Sequence, residues 1–147
     1  MMLKAALSPP SRVHLARVLV VDADPASRLT LQTILEAGGY RVESAASAAE
    51  AVNKLDERVY ELVLSDLTME SPEAGYRVLA HARMMNYKPA TALLQTTRSN
   101  ATGGGEQMLI APEDVPGLLT KIANLISKRA SRQVERQLRQ SHALATS

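Results

Sequence analysis

The 147-residue chain has no cysteine, no tryptophan and no phenylalanine, and only four tyrosines. Without cysteine there is no disulfide, no thiolate zinc site and no thiol nucleophile. Without an aromatic platform there is no stacking surface of the kind that holds single-stranded nucleic acid. No apolar run approaches the roughly 18 residues that a membrane-spanning helix needs, and residues 1–10 lack the apolar core of a signal peptide. A cytoplasmic protein with no membrane contact is expected. His14, His81 and His142 stand too far apart in sequence to suggest a local metal motif.

What remains is ordinary for a globular domain, with 46% apolar and 22% charged residues in a length that suits one core. The net charge of +2 is unevenly spread. Residues 1–17 carry three basic side chains, and residues 128–147 carry five with one acid, Glu135. Residues 18–127 therefore hold nine basic and fourteen acidic side chains, a net of −5. That disfavours the body as a nucleic-acid surface and leaves any polyanion contact to the ends.

Residues 1–16, with Ser8-Pro9-Pro10-Ser11, read as a flexible leader. Val18-Leu19-Val20-Val21 is the continuous apolar run of a strand buried on both faces of a parallel sheet, closed by Asp22. Asp24 and Pro25 start a helix to about residue 37, with Leu29, Leu31, Ile34 and Leu35 at helical spacing and Gly38-Gly39 as its left-handed stop. A strand is expected at 40–44, then a helix from Ser47 to about Glu57. A third strand covers 60–65 and again ends in an aspartate, Asp66. Ser71 and Pro72 open a third helix running toward Tyr87.

A fourth strand is expected at 91–95 and a short fifth at 108–110, with the glycine-rich stretch 96–105 a poor helix former between them. Leu118, Leu119, Ile122 and Ile126 mark a final amphipathic helix from Asp114 to about Gln140. Such a helix would be roughly 40 Å long, against the 17–20 Å of a typical strand, so its end must overhang the sheet. On that overhang Ala130, Val134 and Leu138 recur at four-residue spacing, and Glu135 sits four before Arg139. The alternation predicts an α/β doubly wound parallel sheet with its site outside the carboxyl ends of the strands.

Asp22 and Asp66 both fall at those ends, and they meet if the third strand lies beside the first. Two adjacent carboxylates repel, and a hard divalent cation relieves the repulsion; Mg²⁺ suits one or two carboxylates plus phosphate oxygens. One carboxylate is then placed to attack phosphorus and form an aspartyl phosphate. Asp24 has an alternative use as the cap of the first helix.

Val18-Leu19-Val20-Val21-Asp22, Leu62-Val63-Leu64-Ser65-Asp66 and Leu93-Leu94-Gln95-Thr96, in that order, resemble the receiver domain of two-component response regulators over about residues 17–127. The resemblance implies a flavodoxin-like sheet of order 2-1-3-4-5. It implies a histidine kinase as phosphodonor, with Asp66 as phosphoacceptor, Thr96 as switch hydroxyl, and Mg²⁺ held by Asp22, Asp66 and the backbone carbonyl of Thr68, with Asp24 as a further candidate ligand. Three family positions depart from the pattern. Ala23 replaces a second acid that is a main Mg²⁺ ligand, Ala111 replaces the lysine before proline, and Met108 replaces the aromatic partner of the switch. Helix four is expected to be missing or very short.

These departures imply weak or absent Mg²⁺ binding and an atypical receiver that works mainly through protein contacts, with a histidine kinase or another signalling protein as partner; the few residues left after 127 lead to the expectation that it stands alone. Its basic extension, residues 128–147, is the expected seam of a possible homodimer. A normally phosphorylated switch is the alternative. A remoter one is a haloacid-dehalogenase-like phosphatase using Asp22 and Asp24, since Asp22-Ala23-Asp24 resembles that family's first motif. It leaves Asp66 without a role. No enzyme activity beyond phosphotransfer to and hydrolysis from Asp66 is expected.

Overall fold

The computed structural model describes residues 16–66, 71–95, 107–109 and 115–146. Among the described residues five strands and four helices follow one another as β1 (Arg17–Val21), α1 (Pro25–Ala37), β2 (Arg41–Ala45), α2 (Ala48–Glu57), β3 (Leu62–Asp66), α3 (Pro72–Arg83), β4 (Ala90–Gln95), β5 (Gln107–Leu109) and α4 (Val115–Thr146). All pairings are parallel. The first four strands stand in the order 2-1-3-4, and the three residues of β5 add to the outer edge of β4. This is the flavodoxin-like order, with the chain reversing its direction of travel across the sheet between β2 and β3.

Period-two alternation divides the core between the two faces of the sheet. Leu19, Val21, Val63 and Leu93 pack against α2 and α3, whereas Val18, Val20, Leu62, Leu64 and Leu94 pack against Leu31 and Leu35 of α1 and Leu118 and Ile122 of α4. After Arg17, β1 is apolar and buried on every residue from Val18 to Val21, so neither of its faces turns to water there, which is why its sequence reads as an unbroken run. The helix starts follow capping chemistry: Asp24, Ser47 and Ser71 each accept a hydrogen bond from the backbone N–H three residues on.

Several boundaries differ from the sequence expectation. Strand β2 begins at Arg41 and β3 at Leu62, one and two residues late, and α3 ends at Arg83 well short of Tyr87. Tyr60 is fully buried, but it contributes packing and a hydroxyl rather than a strand position. Leu29, counted in the apolar stripe of α1, is 64% exposed, because the helix face opposite Leu31 and Leu35 looks to solvent. The αL residue after α1 is Gly39, φ +98°, while Gly38 keeps a right-handed conformation. Strand β5 begins at Gln107, one residue earlier than expected, and Ile110 lies outside the described residues. The expected absence of helix four concerns residues 96–106, which lie outside the described residues.

Helix α4 has 32 residues, about 48 Å at 1.5 Å per residue, and so outruns even the length read from the sequence. Its first half fills the core. Arg129, 8% exposed, then fastens it to the turn before β4: Nε donates to the Lys88 carbonyl at 3.0 Å and Nη2 to the Tyr87 carbonyl at 2.7 Å. Gln133 adds a bond to the Tyr87 carbonyl. Beyond it Val134 and Leu138 are 54% and 64% exposed, and Glu135 pairs with Arg139 across one turn.

Candidate functional site

Asp22 follows the last residue of β1, and Asp66 is the last residue of β3. These strands are hydrogen-bonded neighbours, with Val21 opposite Ser65, so both aspartates emerge at one rim of the sheet. Asp22 is fully buried and Asp66 nearly so. The Oδ1 atom of Asp22 accepts from the backbone N–H of Asp24 at 2.9 Å, while its Oδ2 is buried and has no hydrogen-bond donor.

Burial pushes the Asp22 carboxyl up to about 7. The Asp24 amide works against that rise, and the Asp66 carboxyl adds to it as an acceptor that needs a shared proton and as a like charge. With both side chains ionised the Asp22 oxygen is an orphan. A proton on Asp22 turns that oxygen into a donor toward Asp66.

The surroundings explain why the chain tolerates this. Asp24 does not complete the pair; its Oδ2 caps α1 on the Ser27 amide at 2.9 Å, which holds its own carboxyl below the usual range. Arg28, one turn along α1, donates from Nη1 to the backbone carbonyl of Asp22 at 2.8 Å and fixes the loop leaving β1. Gly75 of α3 lets that helix sit directly on the end of β3: a Cβ there would lie 2.6 Å from the Asp66 carbonyl oxygen. The Ser65 hydroxyl closes the same contact by donating to the Gly75 carbonyl at 3.1 Å.

Of the residues singled out in the sequence, Asp22, Asp66 and Asp24 lie at one rim, and Ala23 is exposed between the first and last of the loop. Thr68, Thr96 and Ala111 fall outside the described residues. Met108 is the middle residue of β5, opposite Leu94. Among the described residues no three His, Cys, Asp or Glu side chains gather into a metal cluster. Arg28 and the close approach at Gly75 were not read from the sequence as parts of the site. The only signal for Arg28 was its place one helical turn after the capping Asp24.

A family model, the response regulator receiver domain, matches residues 18–111. The chain belongs to this family. Its fold agrees with a receiver domain protein from Methanospirillum hungatei JF-1, at a TM-score of 0.68 and 24% identity over 81% of this chain and 99% of that one. A second structure, the Thermotoga maritima response regulator TrrA in complex with Mg²⁺ and BeF, gives a TM-score of 0.64 at 27% identity, covering 76% of this chain and 99% of that one. Among curated sequences, the sensory/regulatory protein RpfC of Xanthomonas campestris pv. campestris is 29% identical over 78% of this chain and 17% of its own length. The sensor protein GacS of Pseudomonas syringae pv. syringae is 38% identical over 45% of this chain and 7% of its own length. This receiver domain thus spans under a fifth of those relatives.

Receiver domains serve two-component signalling, in which they meet histidine kinases and other signalling proteins and generally bind Mg²⁺. Among the described residues of this one, no helix is long and apolar enough to cross a membrane.

Proposed function

We propose that this receiver domain is an atypical member in which Asp66 keeps the phosphoacceptor position but Mg²⁺ and phosphoryl-transfer chemistry are impaired, and that it acts mainly by binding a signalling partner. The observation that carries the reading is the pairing of a buried, donorless Asp22 oxygen with an exposed alanine at the next position. An orphaned oxygen beside a second carboxylate is a donor set that fits a small divalent cation. Asp22 and Asp66 are the side chains that would hold it, with the Thr68 carbonyl as a third ligand. Mg²⁺ bound there supplies charge neutralisation to phosphoryl oxygens as they approach Asp66. With Ala23 the set is one carboxylate short, so affinity falls.

The chain's own residues then do less than a full site would. Asp66 offers a carboxylate oxygen to phosphorus; Asp22 contributes charge and, when protonated, a hydrogen bond. Arg28 holds the loop through a backbone carbonyl. With Ala111 in place of a lysine, that position offers no ammonium to the transferring group. Haloacid-dehalogenase chemistry has less support, since Asp24, its required acid/base, is engaged in capping α1.

The second reading, a normally phosphorylated switch, is favoured by the burial of the Asp22–Asp66 pair at the strand-end rim. Amide NMR with Mg²⁺ and beryllofluoride separates the two. The impaired reading expects non-saturating shifts around Asp66 up to about 20 mM Mg²⁺, well above the affinity of a working site. Saturable shifts at low millimolar Mg²⁺, lost in Asp66→Asn, would establish the switch instead.

A further inference from the structure

The opposite rim, where β1 and β2 begin, carries a second and chemically inverse feature. Arg17 opens β1, Arg41 opens β2, and the parallel register sets them side by side, about 4.8 Å apart along the hydrogen-bonding direction. Arg58, capping the end of α2, is the third arginine on the same recess of about 320 Å³. Three like charges at such spacing repel unless an anion lies among them.

Glu43 answers only part of that demand. Its Oε2 lies 3.7 Å from Nε of Arg17 and 3.6 Å from Nε of Arg58, and its Oε1 accepts from the Tyr60 hydroxyl at 3.2 Å. Both arginines meet it through Nε, which leaves their terminal nitrogens, the fork that grips an oxyanion, for another acceptor. Arg41 is exposed and makes no ion pair among the described residues. Counting Glu36, which borders the recess from α1, three arginines and two glutamates leave +1, whereas residues 17–127 as a whole carry −4. A positive recess in an acidic body is a local field for a small anion.

We propose that this recess binds a small phosphate-bearing anion through Arg17, Arg41 and Arg58, some 17 Å along β1 from Asp22 at 3.3 Å per residue. The volume admits phosphate or pyrophosphate and sits at the small end of ligand sites. Glu43 positions two of the forks. The site is independent of whether Asp66 is phosphorylated.

The test is an amide NMR titration of the full chain with inorganic phosphate and with pyrophosphate, with acetate at matched ionic strength as control. Expected are saturable shifts around Arg17, Arg41 and Arg58, tighter for pyrophosphate. Arg41→Gln and Arg58→Gln should each weaken binding about tenfold, and Arg77→Gln, exposed on α3, should leave it unchanged. Arg41 and Arg58 are both solvent-facing, so neither variant threatens the fold. Linear shifts shared with acetate, or unaltered affinity in Arg41→Gln, would overturn the proposal. So would shifts confined to the Asp22 and Asp66 rim.

Discussion

Replacing Asp22 by asparagine should make the metal-free protein more stable, and more so as the pH rises. The carboxyl is fully buried and one of its oxygens has no donor. Its pKa rises from 3.8 to about 7 on folding, chiefly through burial and further through Asp66. A raised carboxylate pKa means the folded state holds its proton more tightly than the unfolded chain. Stability from this group is therefore full below about pH 4, declines as the pH rises toward 7, and is flat above it.

Each pKa unit corresponds to 1.36 kcal/mol, so between pH 5 and pH 8 wild type loses about 2–3 kcal/mol through this one side chain. Asparagine has nearly the same shape, keeps the oxygen that accepts from the Asp24 amide, and offers Asp66 an N–H donor. Its advantage over wild type should thus grow by about 2–3 kcal/mol from pH 5 to pH 8. Urea unfolding followed by circular dichroism, in EDTA and without phosphate, measures this directly. Equal differences at the two pH values, or a variant weaker than wild type at pH 8, would refute the reasoning.

Ala23→Asp should raise Mg²⁺ affinity tenfold or more, since a carboxylate about 4 Å from the ion gains several kcal/mol at an effective dielectric near 20 and each tenfold needs only 1.4. Isothermal titration checks it, and unchanged affinity would count against the metal assignment. Gly75→Ala should destabilise by about 1–3 kcal/mol despite the better helix propensity of alanine, because the new Cβ must push the Asp66 carbonyl away. Thermal melts together with the Asp66 amide shift report both effects. Arg129→Met should lose about 2 kcal/mol, the worth of its charged hydrogen bonds to two turn carbonyls, and faster amide exchange in α4 should accompany the loss.

How far the sequence disclosed this molecule varies by element. The order of strands and helices was legible because Val18–Val21 of β1 and Leu62–Leu64 of β3 are continuous apolar runs and because Asp24, Ser47 and Ser71 announce three helix starts. The meeting of Asp22 and Asp66 followed from that order once β3 was placed beside β1. Other features were hidden because they depend on contacts distant in the chain. Arg129 reads as one more charge in a basic helix, although it lies seven residues after Ile122 and so shares its buried face. Gly75 reads as a weak point in α3, and only the 2.6 Å approach to Asp66 shows why no side chain fits there.

The two ends of β1 show how one strand carries opposite chemistry without conflict. Five residue steps lead from Arg17 to Asp22, about 17 Å, which exceeds the roughly 8–10 Å Debye length at physiological salt. The arginines therefore do little to stabilise the buried acids, and the acids do little to attract or repel an anion at the far rim. Asp22→Asn and Arg41→Gln should accordingly act additively on stability, within about 0.5 kcal/mol, as distant sites without shared partners do. A larger coupling would mean that β1 transmits a change between its ends, and the rims would then have to be treated as one device rather than two.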